Sequence, residues 1–374
     1  MAGIYIHIPF CKKKCNYCDF YSINKIELIH PFVEALLKEI RLRKEYLNKE
    51  IIETIYFGGG TPSILEEKYF VRILNQIYTD FKISENIEIT IEINPDDVNT
   101  ELLSFMKNSV INRVSLGVQS FFDHHLDFLG RRHNVSQCVS AIKNISDSSI
   151  TNISIDLIYG LPFMTTEEWK HNLKLAFSFN IQHISAYHLS VEQNTPLYRS
   201  LKNHEFSEIS EEESWKQFVL LNKFVKANNW ECYEISNFAK SEYYSIHNLN
   251  YWKNKKYLGL GPSAHSYNLE SRQWNISDIH EYLHSLNNDK LLFEKEILTK
   301  DQRYNDYIIT SLRTKLGADL FYIKEIFGEK FYLHLEKQSA KYIKEAFIIQ
   351  KNNILTLTSE GMFLSDKIFA DLII

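Results

Sequence analysis

Nowhere does the chain string together the roughly 18–20 apolar residues that a bilayer-spanning helix needs, so no membrane span is expected. No secretory leader is expected either, because the short apolar run Ile4 to Phe10 precedes a group of lysines instead of following one. Cysteine is scarce, five in 374 residues, and the odd count excludes the even framework of a secreted disulfide-bonded domain. That usage fits a reducing compartment, and a cytoplasmic location is the expectation. Basic charge is not in surplus: the formal net charge is −5, which argues against the electrostatic footprint of a nucleic-acid binder. Internal repeats and low-complexity linkers are missing as well. What is there is core-forming material, 44% apolar with 14% aromatic, enough for one large domain and a smaller one.

Short β-rich runs alternate with longer amphipathic ones. Gly3–Ile8, Glu53–Gly59, Ile87–Ile93, Asn112–Val118, Asn152–Gly160 and Gln182–Leu189 read as strands. Helical patterns follow at Leu28–Leu47, Glu66–Tyr78, from Thr100, Ser136–Asn144, Thr166–Phe179 and Glu211–Ala227. Six alternations predict an α/β fold with a parallel sheet, since each parallel crossover needs a helix of this length. The spacing predicts a partial six-unit (β/α) barrel, with a doubly wound open sheet as the competitor. Two domains are expected, residues 1–235 and a smaller α+β unit over 236–374 whose tail, from about Asp301, reads as winged-helix-like.

The unusual residues fall where such a barrel gathers its chemistry, at the C-terminal ends of the strands. Strand one runs into CKKKCNYC, with Cys11, Cys15 and Cys18 on one loop and no fourth cysteine. A closed structural zinc site wants four ligands and would have to recruit His7 or Asp19. An iron–sulfur cube held by three thiolates would leave one iron open. The lysines between Cys11 and Cys15 either offset cluster charge or merely solvate the loop. Strand two ends in Gly58-Gly59-Gly60-Thr61, whose glycines let backbone groups approach a ligand closely but which lacks the lysine of a phosphate-binding P-loop. Glu92 and Asp156 interrupt apolar strands. Each is either a core ion pair, to Arg113, Arg131 or Arg132, or an acceptor for a ligand's amino or hydroxyl groups. Gln119 reads polar ligand edges by the same logic. Cys138 and Cys232 sit in apolar contexts and read as core.

In order along the chain, YIHIPFCKKKCNYC, FGGGTPS, IEINP, GVQSF, LGRRH and DLIYGLP resemble the signature of radical S-adenosylmethionine (SAM) proteins, and within them the HemN/HemW group. The resemblance covers essentially the whole chain. It implies a [4Fe–4S] cluster on Cys11, Cys15 and Cys18 with SAM on the open iron. It also implies SAM contacts from Tyr5, Gly59, Gly60, Thr61, Glu92, Gln119, Arg131 and Asp156.

The group holds oxygen-independent coproporphyrinogen III oxidases, which decarboxylate porphyrinogen propionates during haem synthesis, and haem chaperones. Three features favour the chaperone branch. Phe20 stands where the oxidase pattern has a fourth cysteine, the oxidase's extra N-terminal segment is not expected before Tyr5, and His247-Asn248-Leu249-Asn250-Tyr251-Trp252 matches the HNxxYW motif. The branch implies haem as ligand, acceptor haemoproteins as partners, and His247 as a haem residue. Imidazole is a common axial ligand of haem iron, and Tyr251, Trp252 and Tyr257 are placed to cover a porphyrin face. His265 is a second candidate. The bland reading of His247 is a hydrogen-bonded histidine of the interior or the surface.

Overall fold

The computed structural model describes residues 1–374. Six parallel strands form its centre: β1 (Ala2–Ile8), β2 (Ile51–Gly59), β3 (Lys82–Ile93), β4 (Arg113–Gln119), β5 (Asn152–Tyr159) and β6 (His183–His188), each hydrogen-bonded to the next. The crossovers carry helices α1 (Ile29–Leu42), α2 (Glu67–Asp80), α3 (Thr100–Asn108), α4 (Asp123–Phe128), α5 (Val135–Ser146) and α6 (Thr166–Ser178). The α/β expectation and the six-unit parallel core hold. The ring does not close, because β1 and β6 are not paired with each other.

The two faces of this sheet differ in chemistry. Alternate residues of a strand point to opposite faces. Ile4, Ile6 and Ile8, Ile55 and Phe57, Ile89, Ile91 and Ile93, Val114 and Leu116, and Ile153 and Ile155 fill one core with the helices. Phe70 of α2 shows how that face is held: its ring lies 5.2 Å from both Phe57 and Phe105. Replacing it by alanine would cost about 3–5 kcal/mol. The interleaved residues point the other way and are polar: Tyr5 and His7, Thr54 and Tyr56, Thr90 and Glu92, Arg113 and Ser115, Ser154 and Asp156, Ser185 and Tyr187. The register sets them side by side, with Tyr5 opposite Tyr56, Glu92 opposite Ser115, and Asp156 opposite Ser185. Thr54, Thr90, Arg113 and Ser154 of this face are fully buried, while Tyr187 near the C-terminal end of β6 is 42% exposed, so the face forms a polar hollow that opens to solvent toward the strand ends.

After β6 come α7 (Pro196–Lys202) and α8 (Glu211–Ala227), and then the chain returns to the sheet. The hairpin β7 (Glu231–Glu234) and β8 (Asn237–Ala239) extends the β6 edge; α9 (Ile246–Trp252) follows. β9 (Tyr257–Leu260) adds parallel to β1, and β10 (His265–Tyr267), β11 (Ser271–Asn275), α10 (Ile279–Asn287) and β12 (Phe293–Ile297) complete a sheet of twelve strands. The main core therefore runs on to Leu286, and a second core begins at Tyr304 and ends at Leu372. These two clusters of buried residues lie on either side of residues 287–303. The second unit combines helices Lys300–Leu312 and Glu329–Lys344 with a three-stranded sheet.

Candidate functional site

The loop after β1 carries the three cysteines, and backbone bonds fix its course. Cys11 N–H donates to Ile23 O (2.9 Å), and Asn16 N–H donates to Leu129 O (3.0 Å) at the end of α4. Two side chains reach the sulfurs: Thr61 Oγ1 donates to Cys11 Sγ (3.4 Å) and the Arg131 guanidinium to Cys15 Sγ (3.3 Å). Burial pushes the Cys11 thiol up, and burial and the neighbouring sulfurs push Cys18 up to about 11. Such thiols need a bound cation to ionise at neutral pH.

The geometry does not suit one zinc ion. The single group of three potential ligand side chains whose ligand atoms all lie within 4.8 Å of one another is elsewhere, so the cysteine sulfurs are spread wider. Ligands of one tetrahedral zinc sit closer together than that, whereas the corners of a cube do not. His7, the fourth ligand a zinc site would recruit, is spoken for: Nε2 pairs with Tyr21 O (2.8 Å) and Nδ1 with Tyr5 OH (3.2 Å). Of the lysines, Lys12 pairs with buried Asp97 (2.8 Å), while Lys13 and Lys14 are exposed.

The glycine run lies beside this loop. Gly59 has φ +104°, and a Cβ there would fall 2.6 Å from the His7 ring. A Cβ on Gly60 would meet the backbone oxygens of Phe10 and Ile8 at 2.7–2.8 Å. Only glycine permits this backbone to pack under the cysteine loop. Gln119, buried at the end of β4, also takes the left-handed conformation, with φ +67°. Strain of that kind concentrates at ligand clamps.

Glu92 and Asp156 are not core ion pairs. Neither makes a salt bridge to Arg113, Arg131 or Arg132. Glu92 accepts from Tyr56 OH (2.9 Å) and Gly59 N–H (3.1 Å), and Asp156 accepts from Ser115 Oγ (3.1 Å). Burial, with Asp156 nearby, lifts Glu92 to about 7; burial also raises Asp156. The Arg113 guanidinium acts on both carboxylates, and Arg131 on Asp156, without offsetting the burial; two carboxylates with no direct ion-pair partner in an open hollow suit a ligand bearing an ammonium and hydroxyls. Arg131 instead spends its donors on the scaffold, bonding Asn94 Oδ1 (2.6 Å), Gly117 O (2.8 Å) and Cys15, so it ties the ends of β3 and β4 to the cysteine loop.

His247 lies within the protein, 2% exposed. Nδ1 pairs with Thr54 Oγ1 (2.8 Å), Nε2 with Tyr251 OH (2.8 Å), and the ring stacks on Tyr56 at 5.0 Å. Burial lowers it to about 3. The backbone N–H groups of Ile246 and His247 donate to the Glu88 carboxylate (3.0 and 2.9 Å), seating α9 on β3. Trp252 packs under Arg313, 4.7 Å from guanidinium carbon to ring centre, and Tyr257 packs edge-on to Tyr251. His265 is the opposite case, exposed on β10 with its ring stacked on Trp274 (6.0 Å). Sequence reasoning missed Tyr56, Ser115 and Ser185. The signal was present in the period-two alternation of the strands.

The radical SAM superfamily model matches residues 5–176. The haem chaperone HemW of Bacillus subtilis (strain 168) is 30% identical over 377 residues, covering 99% of this chain and 98% of that protein. The haem chaperone HemW of Buchnera aphidicola subsp. Schizaphis graminum (strain Sg) is 33% identical with the same coverage. This chain belongs to the HemW family of radical SAM proteins. Membership implies a [4Fe–4S] cluster and SAM as cofactors. The solved structure of HemN, the coproporphyrinogen III oxidase of Escherichia coli, superposes with a TM-score of 0.86 at 21% identity, covering 99% of this chain and 89% of that one, and shows the same fold. No helix is long and apolar enough to cross a membrane.

Proposed function

We propose that this protein is a haem chaperone on a radical SAM scaffold, binding a [4Fe–4S] cluster, SAM and haem and passing haem to acceptor haemoproteins. The observation that carries the reading is end-to-end likeness to haem chaperones, with the HNLNYW segment inside the matched span. Phe20 supports it: at the position of the oxidase's fourth cysteine stands a phenyl ring that is 65% exposed.

In this reading Cys11, Cys15 and Cys18 hold the cluster. Such a cluster, when bound, would supply one-electron chemistry toward SAM. The chain's own residues do the rest. Thr61 and Arg131 donate to the ligating sulfurs, stabilising their thiolate form. Glu92 would accept from the SAM ammonium, and Gly59 and Gly60 would let the backbone approach it closely. Asp156 and Gln119 bind ribose and adenine edges, and Tyr5 walls the pocket.

Haem places different demands on its two candidate ligands. At His247, ligation requires α9 to open and release Thr54 and Tyr251; at His265 it requires no rearrangement. Soret titrations of His247→Ala and His265→Ala separate the two.

The alternative reading, an oxidase, rests on the shared fold. Anaerobic incubation of the cluster-loaded protein with SAM, reductant and coproporphyrinogen III tests it. Absence of the decarboxylated product by mass spectrometry is expected; catalytic product formation would establish the oxidase.

A further inference from the structure

One cluster of side chains lies outside everything described so far. His124 and His125 open α4, and Glu168 lies in the first turn of α6; their ligand atoms all sit within 4.8 Å of one another. His124 Nε2 is 3.1 Å from Glu168 Oε1, and His125 Nε2 is 3.9 Å from Glu168 Oε2.

The simple reading is a surface ion pair between His124, half exposed, and Glu168. That leaves His125 unexplained. Its side chain is fully buried and its Nδ1 pairs with Ser120 Oγ (2.9 Å), yet Nε2 has no hydrogen-bond partner. A buried nitrogen facing a carboxylate without bonding to it is costly, and orphans of this kind are rare. Asn172 Nδ2–H donates to the Ser120 hydroxyl (3.2 Å), and the bond between that hydroxyl and His125 Nδ1 fixes the ring so that Nε2 faces Glu168. A metal-binding imidazole is ordinarily held in this way through its other nitrogen.

Glu168 is prepared in the same sense. Its Oε2 accepts from the Thr165 backbone N–H and from Thr165 Oγ1, both at 2.8 Å, in the box that caps α6. Oε1 is left facing His124. Burial raises Glu168, but the bonds from Thr165 outweigh it and hold the carboxyl below its usual range. Burial, with His124 adjacent, lowers His125 to about 4. The Phe122 ring packs against both histidines, with centroids at 5.6 and 5.2 Å, and shields the inner side.

We propose that His124, His125 and Glu168 form a site for a divalent cation of the zinc class, with water as the fourth ligand, joining α4 to α6. Two nitrogens and an oxygen suit zinc and differ in kind from the thiolate site. The position gives it a role. Leu129, directly after α4, accepts from the cysteine loop at Asn16, and Arg131 reaches Cys15. A metal at this point anchors the segment that clamps the cluster loop.

The test uses protein whose [4Fe–4S] cluster has been reconstituted, so that the three thiols are occupied, and which has then been treated with chelator. Anaerobic equilibrium dialysis against Zn²⁺ should give one zinc per chain beyond the cluster iron. His124→Ala and Glu168→Gln should each weaken that binding at least about tenfold. Glutamine preserves the capping box, so helix α6 is retained. Co²⁺ in place of zinc should show d–d bands without a sulfur-to-cobalt charge-transfer band. No extra zinc, unchanged affinity in both variants, or a thiolate band in the cobalt spectrum would each overturn the proposal.

Discussion

Replacing Glu92 by glutamine should stabilise the cofactor-free protein, and only on the alkaline side. The reason is burial without a direct ion-pair partner. In the folded chain Glu92 titrates at about 7 against its ordinary 4.5, with burial the largest cause and Asp156 adding to it. A folded-state value raised above the unfolded one means that the folded state binds the proton more tightly. Stability then falls as pH rises from 4.5 to about 7 and stays low above that, by about 3 kcal/mol in all. Glutamine carries no charge and removes this loss. It also turns an NH2 group toward one of the two donors that Glu92 now satisfies, Tyr56 OH and Gly59 N–H, at a cost of about 1 kcal/mol. The variant should therefore be more stable than wild type by about 2 kcal/mol at pH 8, and slightly less stable at pH 4.5. Urea unfolding of cluster-free protein at the two pH values measures both numbers. With Glu92 as the proposed partner of the SAM ammonium, equilibrium dialysis on reconstituted protein should show that the same substitution abolishes SAM binding. An equal stability change at both pH values, or destabilisation at pH 8, would refute the reasoning.

Other expectations follow from the same geometry. Cys15→Ser should abolish the brown absorbance after anaerobic reconstitution, since it removes both a thiolate and the partner of Arg131; full retention would contradict the three-cysteine site. Gly60→Ala should prevent reconstitution while leaving the helical circular dichroism unchanged, because its Cβ would collide with the Ile8 and Phe10 backbone and displace the cysteine loop. His247→Ala should lower stability by about 2–4 kcal/mol through the cavity and the orphaned Thr54 and Tyr251 hydroxyls, readable in urea unfolding. Its effect on the Soret titration is a separate readout, and an unchanged titration would move haem ligation away from His247.

Much of the parallel core was legible in the sequence because its signals are local. Strand-like runs alternating with amphipathic stretches of crossover length announce a parallel sheet, and helix α8 matches its periodic stretch, Glu211–Ala227, end for end. The first helix stops at Leu42 instead of Leu47, and the turns that follow end in left-handed Asn48 and Lys49.

Long-range pairing was not legible. Nothing in Tyr257–Leu260 says that it lies parallel to β1, and so the continuation of the sheet through residues 237–297 could not be read from the sequence. The site divides along the same line. Cys11, Cys15, Cys18, Glu92 and Asp156 stand out by type and spacing. The left-handed backbone of Gln119, the spent nitrogens of His247 and the unpartnered Nε2 of His125 exist only once distant segments meet.

The central claim is haem transfer. Cluster-loaded protein, charged with one equivalent of haem and mixed anaerobically with a haem-free acceptor haemoprotein, is followed through the Soret band. The account predicts that haem passes to the acceptor faster than from an unrelated haem-binding protein of equal affinity, restoring the acceptor's activity. Haem that does not bind to the cluster-loaded protein, or that reaches the acceptor no faster than from the unrelated carrier, would contradict it.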